Sequence, residues 1–165
     1  MLRLANALDS ANKTVAMIVR WLVVLMVVVQ FGIVLGRYIF SVNSIAAQES
    51  VLYLHASLFM LGAGYTLLID GHVRVDIIYS KLSNVWKRRV DIFGHLFLLI
   101  PAMITLLYWS WPSVRNSWSI LEGPISVGGI KAVFLLKSLI PAFCILMIIQ
   151  SFSLLIRTLF VEKND

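Results

Sequence analysis

Four long apolar stretches constrain this sequence more than any other feature. They cover approximately residues 15–35, 51–69, 92–111 and 133–156. Each is close to the roughly 20 residues that an α-helix needs to cross about 30 Å of hydrocarbon. In none of them do apolar and polar residues alternate with a period of two, which disfavours a transmembrane β-barrel. A helix is the remaining structure that satisfies all of its backbone hydrogen bonds in lipid. The stretches therefore predict an all-α integral membrane protein with four transmembrane helices.

Composition excludes the soluble and the disordered classes. Of the 165 residues, 60% are hydrophobic and only 13% are charged. A soluble domain has about 45–50% apolar and about 25% charged residues, and at this length it still exposes much of its surface to water. A disordered chain has fewer apolar residues and more charge. The single cysteine, Cys144, excludes a disulfide framework and a multi-cysteine metal site. Because we find no internal repeat and no domain boundary, we predict a single membrane domain over residues 1–165.

The distribution of Lys and Arg predicts the orientation of the chain. Ten of the 14 basic residues lie on the side that holds both termini and the second connection, and four lie on the other side. Because cytoplasmic segments carry the excess of Lys and Arg, we expect both termini in the cytoplasm. The positive residues do not form one patch, so nucleic-acid binding is not expected. The larger set is Arg3, Lys13, Arg20, Arg74, Lys81, Lys87, Arg88, Arg89, Arg157 and Lys163, and the smaller set is Arg37, Arg115, Lys131 and Lys137.

Tryptophan and basic residues mark the predicted membrane surfaces. Trp109, Trp111 and Trp118 cluster at the outer end of the third span, and Trp21 and Trp86 lie near the inner boundary. Their amphipathic rings prefer the headgroup region. A basic run beside Trp86 is predicted to anchor the chain to anionic lipid. This run consists of Lys87, Arg88 and Arg89.

The residues before the first span allow two structures. Leu4, Leu8 and Ala11 recur at helical spacing, which fits a short in-plane helix with its leucines toward lipid. The alternative is a frayed terminus. The first apolar run exceeds the 7–15 residues of a signal-peptide core and lacks a small-residue cleavage site, so we expect it to be retained.

Two sets of small residues predict close helix contacts. Gly32 and Gly36 have GxxxG spacing in the first span, and Gly62 and Gly64 give the second span a small-residue face. Such faces let another backbone approach closely. Either another subunit or a helix of the same bundle can fill that role.

Polar residues inside membrane spans are functional candidates. His55 lies near the outer boundary. His95 comes four residues after Asp91, so these two side chains can form a hydrogen bond on one helix face. Gln150 can bond across helices, and Lys137 can snorkel to the surface. No Asp or Glu lies in the middle of a predicted span, which argues against an ion-coupled transporter that works alone. Packing residues and interfacial anchors are the favoured interpretation.

Charged positions next to the spans are candidates for protein contacts. His72 and Asp76, with Arg74 between them, follow the second span. On a helix this spacing suits a metal, but two ligands are too few for a tight site, so a contact that docks a neighbour is preferred. Glu49, close to Arg37 in topology, is either a helix-start acid favoured by the dipole or a partner contact. No GxSxG, HExxH or P-loop motif is present, so no catalytic residue is expected.

The middle of the chain resembles the DctQ-like small membrane subunit of tripartite ATP-independent periplasmic (TRAP) transporters. Order and spacing match along residues 36–79, and the four-span layout extends the similarity to most of the chain. One departure is that the family often has two acids where this chain has Gln48 and Glu49, which leaves Glu49 as the candidate. The matching elements are GRYIF at 36–40, QE at 48–49, LGAGY at 61–65 and GHVRVD at 71–76.

The resemblance implies a three-part importer in a bacterial inner membrane. A periplasmic binding protein captures a substrate, usually an organic acid, and a large multi-span subunit moves it with a sodium gradient. The small subunit is a scaffold that packs against this large subunit, with the binding protein and phospholipids as further expected partners; whether it contacts the binding protein directly is left open by the sequence. Sodium is expected on the large subunit, and no cofactor is expected on this chain. The assembly candidates are Arg37, Glu49, His72, Arg74 and Asp76.

A second class of function stays open from the sequence. A self-sufficient four-helix transporter or exporter, or a membrane enzyme, would act as a homo-oligomer. An exporter of this type would be expected to show a membrane-embedded acid, and an enzyme would need histidines and acids at one depth. His55 and His95 are predicted near opposite membrane faces, so they do not meet this requirement.

Overall fold

Four long helices make up most of the described part of the chain. The computed structural model describes residues 1–72 and 79–160, and none of these lies in a β-strand. All four helices are long and apolar enough to cross a membrane, which confirms the predicted fold class. The cytoplasmic location of the termini and the single-domain organisation stay predictions. The helices are α1 (Leu2–Phe40), α2 (Ile45–Leu68), α3 (Asn84–Ser119) and α4 (Val133–Phe160).

Helix α1 is much longer than its predicted span. Its 39 residues rise about 58 Å at 1.5 Å per residue, almost twice the thickness of the hydrocarbon core. Residues 2–14 are helical and continue into the apolar stretch. The segment is therefore an extension of the first span rather than a frayed terminus or a separate helix.

The turn between α1 and α2 is shorter than the sequence suggested. Ser41 adopts a left-handed backbone (φ 53°), and the Val42 N–H donates to the Gly36 carbonyl at 2.9 Å. The Ser44 side chain accepts from the Ala47 N–H at 3.3 Å and caps the start of α2. Residues 45–50, which lie between the first two apolar stretches, thus form the first turns of α2, and α1 and α2 make an antiparallel hairpin.

Helix α3 is interrupted by a π-helical segment, Gly94–Leu99, just before Pro101. A π turn and a proline are both recognised causes of helix bends. The helix then continues through Pro112 to Ser119, two turns beyond the predicted end of the span. It ends where Leu121 takes a left-handed backbone (φ 45°).

Helix α4 lies at the centre of the fold. It contacts α1, α2 and α3, while α1 also packs along α2. In the most apolar 18-residue segment of α4, 39% of the residues are buried, whereas the corresponding value for each of the other three helices is 6%. Its buried side chains include Cys144, Ser151 and Ser153, whose small size favours close helix approach. The fold leaves most of the apolar surface of α1, α2 and α3 uncovered.

Candidate functional site

A buried polar cluster joins the start of α1 to the end of α4. We call it the N-terminal latch, and it consists of Asp9, Asn12, Gln150, Ser153 and Arg157. Asp9 is 3% exposed, and its Oδ2 lies 2.5 Å from Nη2 and 3.1 Å from Nε of Arg157. Its Oδ1 accepts from Gln150 Nε2 at 3.0 Å and from the Ser153 hydroxyl at 2.5 Å. Since an unpaired buried charge is strongly destabilising, these partners allow Asp9 to lie between two helices.

Asn12 extends the latch to α2. Its Nδ2 donates to Gln150 Oε1 at 2.9 Å and to the Leu146 carbonyl at 3.3 Å. On its other side Asn12 faces Gly64, where an added Cβ would overlap the Asn12 amide. Three helices therefore meet at this one side chain. Gly64 allows the approach because it has no Cβ.

Only part of the latch is predictable from polar residues inside the spans. Gln150 is expected to bond across helices, whereas Asp9 and Asn12 precede the apolar stretch and are not among the predicted candidates. A usable signal exists, because Asp9 and Asn12 are three residues apart. Gln150, Ser153 and Arg157 recur at spacings of three and four, so each set shares one helix face.

At the opposite end, Glu49 holds the loop between α3 and α4; we call this the loop clamp. Glu49 is 7% exposed. Its Oε1 accepts from the Ser126 N–H at 3.0 Å and its Oε2 from the Ile130 N–H at 2.7 Å. An added Cβ at Gly129 would overlap this carboxylate. The structure thus gives Glu49 an internal role that neither of the two sequence interpretations included.

Two further contacts attach α4 at this loop end. Lys137 Nζ lies 2.6 Å from Glu122 Oε2, and the Trp118 indole donates to the Ser138 hydroxyl at 2.8 Å. The Lys137 hydrogen bond lowers the pKa of Glu122 below its ordinary value of 4.5. Lys137, expected to snorkel, is therefore paired with a loop carboxylate.

The other predicted packing glycines have open surroundings. An added Cβ at Gly32 or Gly62 would meet no heavy atom within 4 Å, and one at Gly36 would lie 3.7 Å from the Val42 carbonyl oxygen. Packing inside this chain therefore explains Gly64, but it does not explain Gly32 or Gly62.

The remaining assembly candidates are not brought together. Arg37 is exposed at the loop end, where its Nη2 lies 3.4 Å from Asn43 Oδ1. His72 is exposed at the latch end, just after α2, beside a groove between α1 and α2. Arg74 and Asp76 lie outside the described residues.

The predicted tryptophan anchors lie on the surface. All five are between 46% and 75% exposed. The guanidinium of Arg20 lies 5.8 Å from the ring centroid of Trp21, and that of Arg89 lies 5.1 Å from Trp86. Such cation–π pairs suit an interfacial position. Lys87 and Arg88 of the basic run are half-buried. The complete set of anchor residues predicted from the sequence was Trp21, Trp86, Lys87, Arg88, Arg89, Trp109, Trp111 and Trp118.

The histidine in α3 also links helices. His95 Nδ1 lies 3.1 Å from the Ser151 hydroxyl of α4. Asp91 accepts from the Tyr79 hydroxyl at 2.8 Å. These contacts agree with the interpretation that polar residues near the spans serve packing.

The carboxylates of the latch, of the loop clamp and of the neighbouring Lys137 pair have partners within the chain. Asp9 binds Arg157, Glu49 binds two loop N–H groups, and Glu122 binds Lys137. Within residues 1–72 and 79–160, no three His, Cys, Asp or Glu side chains gather as a metal site. The polar geometry that is present fixes helix ends against one another.

Comparison with known proteins identifies the family. A model of the DctQ component of tripartite ATP-independent periplasmic transporters matches residues 23–161, which include part or all of each helix. No curated protein and no solved structure matches the chain. The match includes the motif region at 36–79 and the residues of the loop clamp, whereas Asp9 and Asn12 of the N-terminal latch precede it. Since it covers well over half of the sequence, this chain belongs to the DctQ family, the small permease component of TRAP transporters.

Proposed function

We propose that this chain is the scaffold subunit of a sodium-driven TRAP importer of organic acids in a bacterial inner membrane. Family membership supports a small TRAP transporter subunit. In the proposal, the large membrane subunit holds the substrate and sodium sites and moves, while this chain adds fixed helices to its frame. A periplasmic binding protein delivers the substrate.

The observation that carries the proposal is the uncovered apolar surface around α4. Large side chains on all three outer helices are exposed, such as Phe31 at 62%, Phe59 at 70% and Trp109 at 75%. A broad apolar surface of this kind faces either lipid or another membrane protein. It gives a large partner subunit room to pack while leaving other faces for the bilayer.

The two polar clusters support a fixed frame. The N-terminal latch ties α4 to α1 and α2 at one end, and the loop clamp ties α2 to the α3–α4 loop at the other. Links at both ends oppose sliding and splaying of the helices. A domain that moves through the bilayer needs such a stationary neighbour to move against.

The charge distribution supports placing transport chemistry on the partner. The carboxylates of Asp9, Glu49 and Glu122 are engaged by groups of the same chain. A coupling site needs groups that can exchange an ion or substrate, whereas these groups hold structure together.

Co-expression with the large subunit tests the proposal. We expect a stable complex in nanodiscs, and sodium-driven uptake of an organic acid in proteoliposomes that also contain the binding protein. Uptake should be lost when this chain is omitted and restored when it is added back. Absence of a complex together with full uptake without this chain would refute the scaffold role.

A narrower test uses the charged connection after α2. We expect Arg74→Ala or Asp76→Ala to weaken co-purification with the large subunit, while the order of preferred substrates is unchanged. Lys81→Ala, in the same connection, serves as the matched control. An altered substrate profile with intact assembly would contradict this assignment.

The proposed orientation is tested separately with fluorescent-protein fusions at each terminus. A reporter that folds only in the cytoplasm should fluoresce at both ends. A dark fusion at either end, with normal expression, would contradict the placement of both termini in the cytoplasm.

A further inference from the structure

A deep groove opens between α1 and α2 near the N-terminal latch. It has a volume of about 1150 Å³, larger than the range of about 300–1,000 Å³ that is usual for drug-sized ligands. Met17 of α1, Phe59 of α2 and Phe143 of α4 give it an apolar lining. Gly62 contributes to the space, because an added Cβ there would meet no heavy atom within 4 Å.

Basic side chains line the same groove. Lys13 and Arg20 are seven residues apart, which places them two turns apart on one face of α1. His72 lies just beyond the end of α2, which runs antiparallel to α1, so it approaches from the other wall at the end where α1 begins. None of the described residues that line the groove is Asp or Glu. The groove thus combines an apolar lining with basic side chains, and Lys13 and Arg20 lie at the two ends of its α1 wall.

We propose that this groove binds an anionic phospholipid. The phosphate group lies between the Lys13 and Arg20 side chains, and one acyl chain lies along the apolar wall past Gly62. This proposal does not depend on the transport function proposed above, because it concerns surfaces of this chain alone.

The depth of the basic residues selects a lipid as the occupant. Lys13 and Arg20 flank the start of the apolar stretch at residues 15–35, which is the level at which lipid phosphates lie in a bilayer. Basic pockets between transmembrane helices are known to hold anionic headgroups at this level. The Arg20 guanidinium also lies over the ring of Trp21, a side chain that favours the same interface.

A helix from a partner protein matches the groove less well. It would cover two cations whose charge no described carboxylate of the groove neutralises, and burying such charges is costly without a matched acid on the partner. A phospholipid carries both an anion and an apolar chain, which match the basic and the apolar side chains of the groove.

Lipid retention by the full chain tests the proposal. The protein, purified in a neutral detergent, is incubated with equal amounts of phosphatidylglycerol and phosphatidylcholine that have the same acyl chains, and retained lipid is counted by native mass spectrometry. We expect a preference for phosphatidylglycerol of about 30-fold, the factor that two basic residues near a membrane surface supply. The double variant Lys13→Gln/Arg20→Gln should lose most of this preference.

Two matched variants separate the site from general charge and from misfolding. Arg115→Gln/Lys131→Gln makes the same change in net charge at exposed positions outside the groove, and it should keep the preference. Lys13→Arg/Arg20→Lys conserves the charge and should keep it too. Gly62→Leu should reduce retention of both lipids, because it fills the space for the acyl chain.

Four results would overturn the proposal. The first is equal retention of both lipids by the unmodified chain, and the second is an equal loss in the Arg115/Lys131 control. The third is displacement of the lipid by millimolar inorganic phosphate, which would indicate a site for a free anion. The fourth is exclusion of the lipid when the large subunit is bound, which would make the groove a protein contact.

Discussion

Removal of the Asp9 carboxylate tests whether the N-terminal latch holds α1 to α4. In Asp9→Ala, Gln150 Nε2, the Ser153 hydroxyl and the Arg157 guanidinium lose the acceptor that they share. The helix itself should tolerate alanine, which has the highest helix propensity. The change therefore reports on the link between helices rather than on α1 alone.

The size of the effect follows from the exposure of the three donors. Gln150 and Ser153 are fully buried, and an unsatisfied buried donor costs about 1–3 kcal/mol. Ser153 keeps the Ala5 carbonyl at 3.1 Å, and the Arg157 side chain is 38% exposed. Because water can replace part of the lost contact to Arg157, the full ~3–5 kcal/mol of a broken buried pair is not expected. We expect the free energy of unfolding to fall by about 2–3 kcal/mol.

Reversible unfolding in mixed micelles, as sodium dodecyl sulfate is added to a mild detergent, measures this change through far-ultraviolet circular dichroism. Asp9→Asn keeps one acceptor oxygen and should lose less, about 1–2 kcal/mol. Arg3→Ala, exposed on the same helix, should stay within about 0.5 kcal/mol of the unmodified chain. A loss from Asp9→Ala that is no larger than that of Arg3→Ala would refute the reasoning. If the double variant Asp9→Ala/Arg157→Ala lost as much unfolding free energy as the two single variants together, this result would also refute the reasoning.

Three further predictions address the glycines and the loop end. Gly64→Ala should lower the free energy of unfolding by about 1–3 kcal/mol, because the added Cβ displaces the buried Asn12 amide. Gly62→Ala, where the added Cβ enters open space, should be neutral or stabilising. Equal effects of the two substitutions in the same micelle assay would contradict this prediction. Gly129→Ala should release the loop clamp, because the added Cβ overlaps the Glu49 carboxylate, and it should speed proteolysis of the α3–α4 loop. Gly123→Ala, where the added Cβ enters open space, should not change the cleavage rate. Equal cleavage rates of the two variants would contradict the clamp. Because the pKa of Glu122 is lowered, its ion pair stabilises the fold above pH 4.5, and this stabilisation is lost as the pH falls through the lower folded-state pKa. Glu122→Gln should therefore flatten the pH dependence of the free energy of unfolding in that acidic range. An unchanged pH dependence would contradict this prediction.

The sequence predicted the helices better than their ends. Apolar length is a direct requirement of the bilayer, so four spans could be counted without any tertiary information. The ends depend on local capping and on contacts outside lipid. Ser44 begins α2 earlier than the apolar run indicates, and Pro112 does not end α3. The charged and polar turns that continue a helix beyond the membrane carry no hydropathy signal.

The candidate site was partly predictable for a related reason. Glu49 was identified from its position, but its partners are backbone N–H groups of a loop some 80 residues away, which no side-chain pattern shows. The GxxxG spacing of Gly32 and Gly36 was more visible than Gly64, yet Gly64 is the glycine that a neighbouring side chain requires. Small residues indicate that a close helix contact is possible, and only the three-dimensional arrangement shows which side chain makes it.

The long extension of α1 has a consequence for the order of biosynthesis. Asp9 leaves the ribosome before Arg157, from which it is separated by 148 positions. Helix α1 therefore enters the membrane with an acid that has no Arg157 to pair with until α4 has been inserted. A product truncated before α4 can never close this contact. The latch consequently distinguishes chains that contain α4 from chains that lack it.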